Sequence, residues 1–222
     1  SSIDLMVEER LRGKPLAYLI GKKGFWKNSF IVTPDVLVPR PETETLVDAI
    51  LNENLQGKTL LELGTGSGAI SISIAQENKD CFIFATDISI KSILVAKQNA
   101  EKFCCEKIIF LNHDWKNEWL FPQVDYLISN PPYVDKEATS GKEEGIWHEP
   151  EIALFSKGKG LSDLKLILSK GKNFLNENGK VYLEHAPDQY EELNKFAMEN
   201  GYLNFSNLND LNGDKRVSIY QC

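Results

Sequence analysis

Thr59-Leu60-Leu61-Glu62-Leu63-Gly64-Thr65-Gly66-Ser67-Gly68-Ala69-Ile70 is the stretch from which the fold can be read. Its first five residues form a short apolar run of the length of a buried strand. Glycines then break the run, and residues 68–76 resume with a helical pattern. A strand that breaks into glycines and re-enters as a helix lets backbone N–H groups approach a ligand with no Cβ in the way. The spacing is Gly-x-Gly-x-Gly, not the Gly-x-Gly-x-x-Gly of dinucleotide sites, and Glu62 stands two residues before the first glycine. A carboxylate there repels a pyrophosphate and suits a ligand carrying an ammonium group, such as the methionyl part of S-adenosylmethionine. No Gly-Lys-Ser or Gly-Lys-Thr element follows, which excludes a P-loop.

Downstream, strand-like and helical runs alternate. Strands are expected over 81–86, 107–111, 124–129, 179–184, 202–207 and 216–221, and helices over 89–102, 161–176 and 187–200. A long polar loop, 134–160, interrupts them. Upstream, residues 3–12 read as a short amphipathic helix and 15–20 as one further turn. Residues 24–33 read as a β-hairpin about Lys27-Asn28, and a helix opens at Pro41 and runs to 54. This predicts an α/β, Rossmann-like fold: a mostly parallel seven-stranded sheet with helices on both faces, plus a short N-terminal helix and β-hairpin.

Ligands of such sheets bind outside the carboxyl ends of the strands, and three further signals fall there. Asp87 closes a strand 23 residues after Gly64, where an acid accepts hydrogen bonds from a ribose diol; it serves equally as the cap of a helix starting near Ser89. His113-Asp114-Trp115 follows the next strand, where Asp114 or Trp115 flanks an adenine or the tryptophan is plain core. Asn130-Pro131-Pro132-Tyr133 follows Val124-Asp125-Tyr126-Leu127-Ile128-Ser129. That turn offers a flat nitrogen two acceptors, the Asn130 side-chain oxygen and the Pro131 carbonyl, and a stacking face, Tyr133. Pro131 and Pro132 have fixed φ and no N–H, so the corner is stiff before a substrate arrives. Methylation of a planar amino or amide nitrogen needs this arrangement; the bland alternative is a proline-rich turn ending a strand.

Composition narrows the class. Lys and Arg total 25 against 32 Asp and Glu, a formal charge of −7, and the densest basic stretch holds only Lys14, Lys22, Lys23 and Lys27. Affinity built on neutralising phosphates usually shows a basic excess, so direct nucleic-acid binding is disfavoured. No apolar run reaches a membrane span and no secretory signal opens the chain, so a cytoplasmic enzyme is expected, organellar if the source is eukaryotic. Cys81, Cys104, Cys105 and Cys222 lack Cys-x-x-Cys spacing, and His113, His148 and His185 are scattered, so free thiols and no metal are expected. Ser1-Ser2 opens the chain without a methionine, as in a trimmed or processed product.

The chain resembles the protein-(glutamine-N5) methyltransferases that modify peptide-chain release factors. The resemblance rests on Arg12-Gly13-Lys14-Pro15-Leu16-Ala17-Tyr18-Leu19-Ile20-Gly21, Val38-Pro39-Arg40-Pro41-Glu42-Thr43-Glu44, Leu63-Gly64-Thr65-Gly66-Ser67-Gly68-Ala69-Ile70, Ser129-Asn130-Pro131-Pro132-Tyr133 and Glu149-Pro150-Glu151-Ile152-Ala153-Leu154-Phe155. It departs from the family pattern at Lys159, where an acid is common, and at His185-Ala186, where Ile-Gly is usual.

The resemblance implies a class I S-adenosylmethionine-dependent methyltransferase, monomeric by default, that releases S-adenosylhomocysteine. Its substrate would be the glutamine of the Gly-Gly-Gln motif of a class 1 release factor. It implies cofactor contacts at Gly64, Thr65, Gly66, Ser67, Gly68, Asp87, Asp114, Trp115 and Asn130, and a substrate held by Asn130, Pro131, Pro132 and Tyr133. Asn130, Pro131 and Tyr133 carry the catalysis. It also implies that residues 1–37 are the tail of a helical N-terminal domain with linker and hairpin, and 38–222 the catalytic domain. Arg40 and Glu42 shape the site mouth, or else form a helix cap and a surface ion pair. The alternative function is methylation of an adenine or guanine amino group in RNA or DNA, after the base has been extruded. An idle cofactor-binding scaffold is disfavoured because Asn130 and both acceptor positions are intact.

Overall fold

A computed structural model describes residues 2–139 and 146–222. Helices α1 (Ser2–Leu11) and α2 (Leu16–Ile20) precede a hairpin, β1 (Lys22–Phe25) and β2 (Asn28–Ile31). A 3-10 turn, Pro41–Thr43, leads into α3 (Glu44–Leu51). Then follow β3 (Thr59–Leu63), α4 (Ala69–Glu77), β4 (Phe82–Asp87), α5 (Ile90–Lys102), β5 (Ile108–Asn112) and β6 (Val124–Ser129). Short α6 (Glu151–Leu154) precedes α7 (Ser162–Gly171), β7 (Leu175–Glu184), α8 (Tyr190–Glu199), β8 (Asn204–Asn209) and β9 (Lys215–Gln221).

The large sheet runs β5-β4-β3-β6-β7-β9-β8, with β9 antiparallel to both neighbours and the other pairings parallel. From β3 the chain steps outward through β4 to β5, then returns to lay β6 on the other side of β3. Strand order therefore reverses between β3 and β6, and a crevice opens at their carboxyl ends. Alternation along β3 feeds two cores. Leu60 packs with Leu46, Ile50 and Ile72 on one face, while Leu61 and Leu63 pack with Leu164, Ile167 and Leu193 on the other. Helices thus cover both faces, as the sequence predicts.

The differences lie at element ends and have local causes. The hairpin turns on Trp26-Lys27, one residue before the expected pair, since Phe25 pairs with Asn28. Trp26 is held at φ 52° by its N–H, which donates to Glu44 Oε1 at 2.8 Å. Helix α7 gives way at Gly171 to a 3-10 turn, Lys172–Phe174, instead of running as α-helix to 176, and the Tyr202 hydroxyl satisfies one of its last carbonyls, Leu168, at 2.8 Å. β7 begins at Leu175, not 179, by a register shift that sets residues 176–179 against Asp125 alone. Tyr202, thus buried, is lost to β8, which starts at Asn204. Gln189 closes a turn on Ala186, delaying α8 to Tyr190. Helix α1 forms as expected but packs no apolar face: Ile3, Leu5, Met6, Val7 and Leu11 are all exposed. The 134–160 loop holds α6 and a bridge between Val134 and Phe155; its residues 140–145 lie outside the described residues.

Candidate active site

Two cavities meet at the carboxyl rim of β3 and β6. The first, about 290 Å³, is lined by Gly64, Gly66, Asp87, Asp114, Trp115 and Asn130 among others. Backbone geometry builds it. The N–H groups of Gly64 and Thr65 both donate to the Thr86 carbonyl, at 2.9 and 2.8 Å, pinning the loop to β4. Gly66 N–H donates to Asp87 Oδ2 at 2.9 Å, and Ser89 N–H to Asp87 Oδ1 at 2.9 Å. The cap of α5 is Ser89, whose hydroxyl accepts from Ser92 N–H, so Asp87 braces the loop and borders the cavity. Burial raises the Asp87 pKa above the ordinary carboxylate value, against those two N–H donors.

Trp115 roofs this cavity from the β5 side. Its indole N–H donates to Asp163 Oδ1 at 3.0 Å. A Cβ at Gly64, whose φ is +76°, would come within 3.3 Å of the Trp115 ring, so a bare backbone is what lets the indole lie so close. The Lys170 ammonium donates to three successive carbonyls, Trp115, Lys116 and Asn117, at 2.8, 3.2 and 2.5 Å. Asp114 accepts from Lys116 N–H at 2.9 Å and borders the same cavity.

Thr65, Ser67 and Gly68 do not line the cavity; they support the loop from behind. The Thr65 hydroxyl donates to Glu62 Oε2 at 2.7 Å, Asn99 Nδ2 donates to the Ser67 carbonyl at 2.8 Å, and Gly68 packs on Ile72 and Ala96. Glu62 itself is buried beneath the loop with Oε2 on Thr65 and Ser71, and burial pushes its pKa up to about 7. It does not line the cavity, so its expected attraction for an ammonium group has no contact surface to act through.

The second cavity, about 560 Å³, is lined by Asn130, Pro131, Tyr133, Arg40, Glu42, Glu149, Glu184 and Arg216 among others. Asn130 borders both cavities, and Pro132 borders the first. Asn130 Nδ2 donates to Thr43 Oγ1 at 3.1 Å, which turns Oδ1 the other way. The Tyr133 hydroxyl donates to Glu184 Oε1 at 2.9 Å, and burial beside that carboxylate pushes the phenol pKa far up. The Tyr133 carbonyl accepts from Gln189 Nε2 at 2.9 Å. It also lies 1.9 Å from where a Cβ on Gly160 would stand, with Gly160 at φ +80°. Arg40 stands at the N-cap position of the Pro41–Thr43 turn, but its side chain makes no capping bond. The guanidinium instead pairs at 2.5 Å with buried Glu149, whose other oxygen accepts from Val38 N–H at 2.9 Å.

Comparison with known proteins adds the lineage. Over 223 residues the chain is 37% identical to the release factor glutamine methyltransferase of Coxiella burnetii, a match covering 98% of this chain and 79% of that one. It is 34% identical to the release factor glutamine methyltransferase of Aliivibrio fischeri, covering 99% and 78%. The chain belongs to the release factor glutamine methyltransferase family. Residues 41–161 also match the methyltransferase small domain family. A solved methyltransferase from Pyrococcus furiosus shares the fold, with TM-score 0.64 at 22% identity over 97% of this chain and 96% of that one.

Within this family member, the sequence reading overlooked Thr43, Asp163, Lys170 and Glu184. Thr43 sits inside the Pro-Arg-Pro-Glu-Thr-Glu run with no signal of its own, and the structure places it against Asn130. Glu184 ends β7 on the same rim as Asn130, so the rule that ligands gather at strand carboxyl ends would have found it. Asp163 and Lys170 carried no local signal of their hold on Trp115, which lies 48 and 55 residues away. Among the described residues no helix is long and apolar enough to cross a membrane.

Proposed function

We propose that this chain methylates the side-chain nitrogen of the glutamine in the Gly-Gly-Gln motif of a class 1 peptide-chain release factor. S-adenosylmethionine is the donor and S-adenosylhomocysteine the product, and the setting is that of translation, the cytoplasm or an organelle. The carrying observation is that Asn130 borders both cavities, so one corner of backbone touches donor and acceptor spaces together. The first cavity suits the donor: Trp115, Ile88 and Phe155 give apolar walls for an adenine, and Asp87 a carboxylate for a ribose diol. Bound there, the donor supplies an electrophilic methyl group on a sulfonium, with its own leaving group.

The chain's task is the nitrogen. An amide lone pair is delocalised into its carbonyl, which makes it a poor nucleophile. Asn130 Oδ1 and the Pro131 carbonyl accept its two hydrogens, fix its plane and push density onto nitrogen. The same two acceptors stabilise the positive charge that develops there as the bond forms, an effect strongest in a site closed to water. Tyr133 covers the amide plane, and the stiff Pro131-Pro132 corner holds both acceptors in place. No general base is required, since the nitrogen becomes acidic only after transfer.

The test is transfer of tritiated methyl from S-adenosylmethionine, with purified release factor, rRNA, tRNA and DNA offered separately, followed by mass spectrometry of the Gly-Gly-Gln peptide. Label in the release factor, with a gain of about 14 Da on that glutamine as one methyl group replaces one amide hydrogen, supports the reading. Label confined to nucleic acid ends it.

A further inference from the structure

We infer that Glu184 and Thr43 set which way the Asn130 carboxamide points, and so present its oxygen to the substrate amide. The inference deepens the methyl-transfer reading and rests on it. The two ends of an asparagine amide are nearly equal in size, so the surrounding donors and acceptors decide the flip. For methyl transfer the flip matters: Oδ1 facing the substrate accepts an amide hydrogen, whereas an NH2 group there would repel it.

Two hydrogen bonds and one bare carboxylate oxygen fix the order. Asn130 Nδ2 donates to Thr43 Oγ1 at 3.1 Å. The Tyr133 hydroxyl donates to Glu184 Oε1 at 2.9 Å. Glu184 is fully buried, and its Oε2 has no hydrogen-bond partner. Thr43 is among the groups that lower the Glu184 pKa, although no hydrogen bond joins the two. An ionised carboxylate accepts and never donates. The Thr43 hydrogen is therefore drawn to Glu184, which leaves the Thr43 lone pairs for Asn130 Nδ2. The chain of donors then runs one way, from Asn130 through Thr43 to Glu184, with Tyr133 closing on the same carboxylate. A reversed carboxamide would turn Oδ1 toward a hydroxyl whose hydrogen is already committed.

Thr43 comes from the 3-10 turn before α3, Glu184 from the end of β7, and Asn130 and Tyr133 from the turn after β6. Three separate elements thus meet on one buried carboxylate. Burial pushes Glu184 up to about 7, opposed by Thr43, Tyr133 and Arg216 from β9, while Glu42 pushes it further up. Above that pH the carboxylate enforces the order; below it, a protonated Glu184 can itself donate, and the order is lost.

Thr43→Val removes the hydroxyl at nearly constant volume, and Thr43→Ser restores it; both act as positioning variants, with S-adenosylhomocysteine binding by calorimetry reporting an intact donor cavity. The expected result is a fall in kcat on the order of a hundredfold for Thr43→Val, with KM for S-adenosylmethionine unchanged and Thr43→Ser within about threefold of the parent. Glu184→Gln should erase the acid limb of the kcat profile near pH 7. A Thr43→Val enzyme with parental kcat overturns the inference, and so does a Glu184→Gln enzyme that keeps the limb. One readout needs no turnover. By 15N NMR the Asn130 Nδ2 proton aimed at Thr43 should exchange slowly in the parent and fast in Thr43→Val. Equal exchange in the two sinks the inference. A slow proton in a parent that transfers no methyl indicts the methyl-transfer reading alone.

Discussion

Asn130 borders both cavities, and its neighbours set the direction of its side chain. With Nδ2 held toward Thr43, Oδ1 is the end of the carboxamide turned the other way. Asn130→Ala should therefore cut methyl transfer by at least a hundredfold, the order of loss when one preorganised group aimed at developing charge is removed. Affinity for S-adenosylhomocysteine, measured by calorimetry, should change little, because Gly64, Gly66, Asp87 and Trp115 still line that cavity. Undiminished turnover would mean that the nitrogen is held elsewhere. At this scale the sequence was informative about what reaches a cavity and silent about what steadies it. Asn130, Asp87 and Trp115 stand directly at strand ends, where chain order alone places them. Glu184, by contrast, meets Tyr133 across 51 residues, a proximity that only the finished sheet creates.

Helix α7 illustrates the same limit at the scale of the element. Its apolar spacing, Leu164, Ile167 and Leu168, is legible and buries it on the sheet. Not legible is that its other residues splint Trp115 from two sides. Asp163 takes the indole N–H, and Lys170, seven residues and about two turns further on, takes the backbone carbonyls. Asp163 also accepts from the Ser156 hydroxyl at 2.5 Å, and Ser156 N–H donates to the Val134 carbonyl at 3.1 Å, just past the Asn130-Pro131-Pro132-Tyr133 turn. Lys170→Met keeps the aliphatic stem and deletes the ammonium. It should weaken S-adenosylhomocysteine binding by about tenfold, the equivalent of about 1.4 kcal/mol. The kcat at saturating donor should hold, and Lys170→Arg should recover most of the affinity. A parental dissociation constant in Lys170→Met would show that the loop holds its shape unaided.

For the whole molecule, the alternation of strands and helices foretold the layers, while strand order emerged only from the crossing back of β6 to β3. That crossing creates the crevice and also buries carboxylates beneath it, and the cost should be visible in stability. Burial raises Glu62 from 4.5 to about 7, despite hydrogen bonds from Ser71 and Thr65, with Asp87 adding to the rise. A carboxyl whose folded pKa lies above its unfolded one favours the protonated folded state. Its contribution is complete below about 4.5 and is lost as pH climbs through about 7. Other groups act in the opposite sense. Burial lowers the pKa values of His113 and His185, so their contribution holds above 6.5 and is lost as pH falls. Glu53, Asp125 and Asp210 lie below their unfolded values despite burial, and their contribution fades only in stronger acid. The parent's own pH curve mixes all of these, so a difference between two proteins is needed. Glu62→Gln removes the one titration and retains an oxygen that can accept from Thr65 and Ser71. The melting temperature of the variant minus that of the parent, followed by calorimetry, should therefore be more positive at pH 8.5 than at pH 5.5. The sign follows because only at the higher pH does the parent hold a buried charge there. A difference that is flat with pH, or that grows toward acid, would mean that Glu62 ionises at least as freely in the fold as in the open chain.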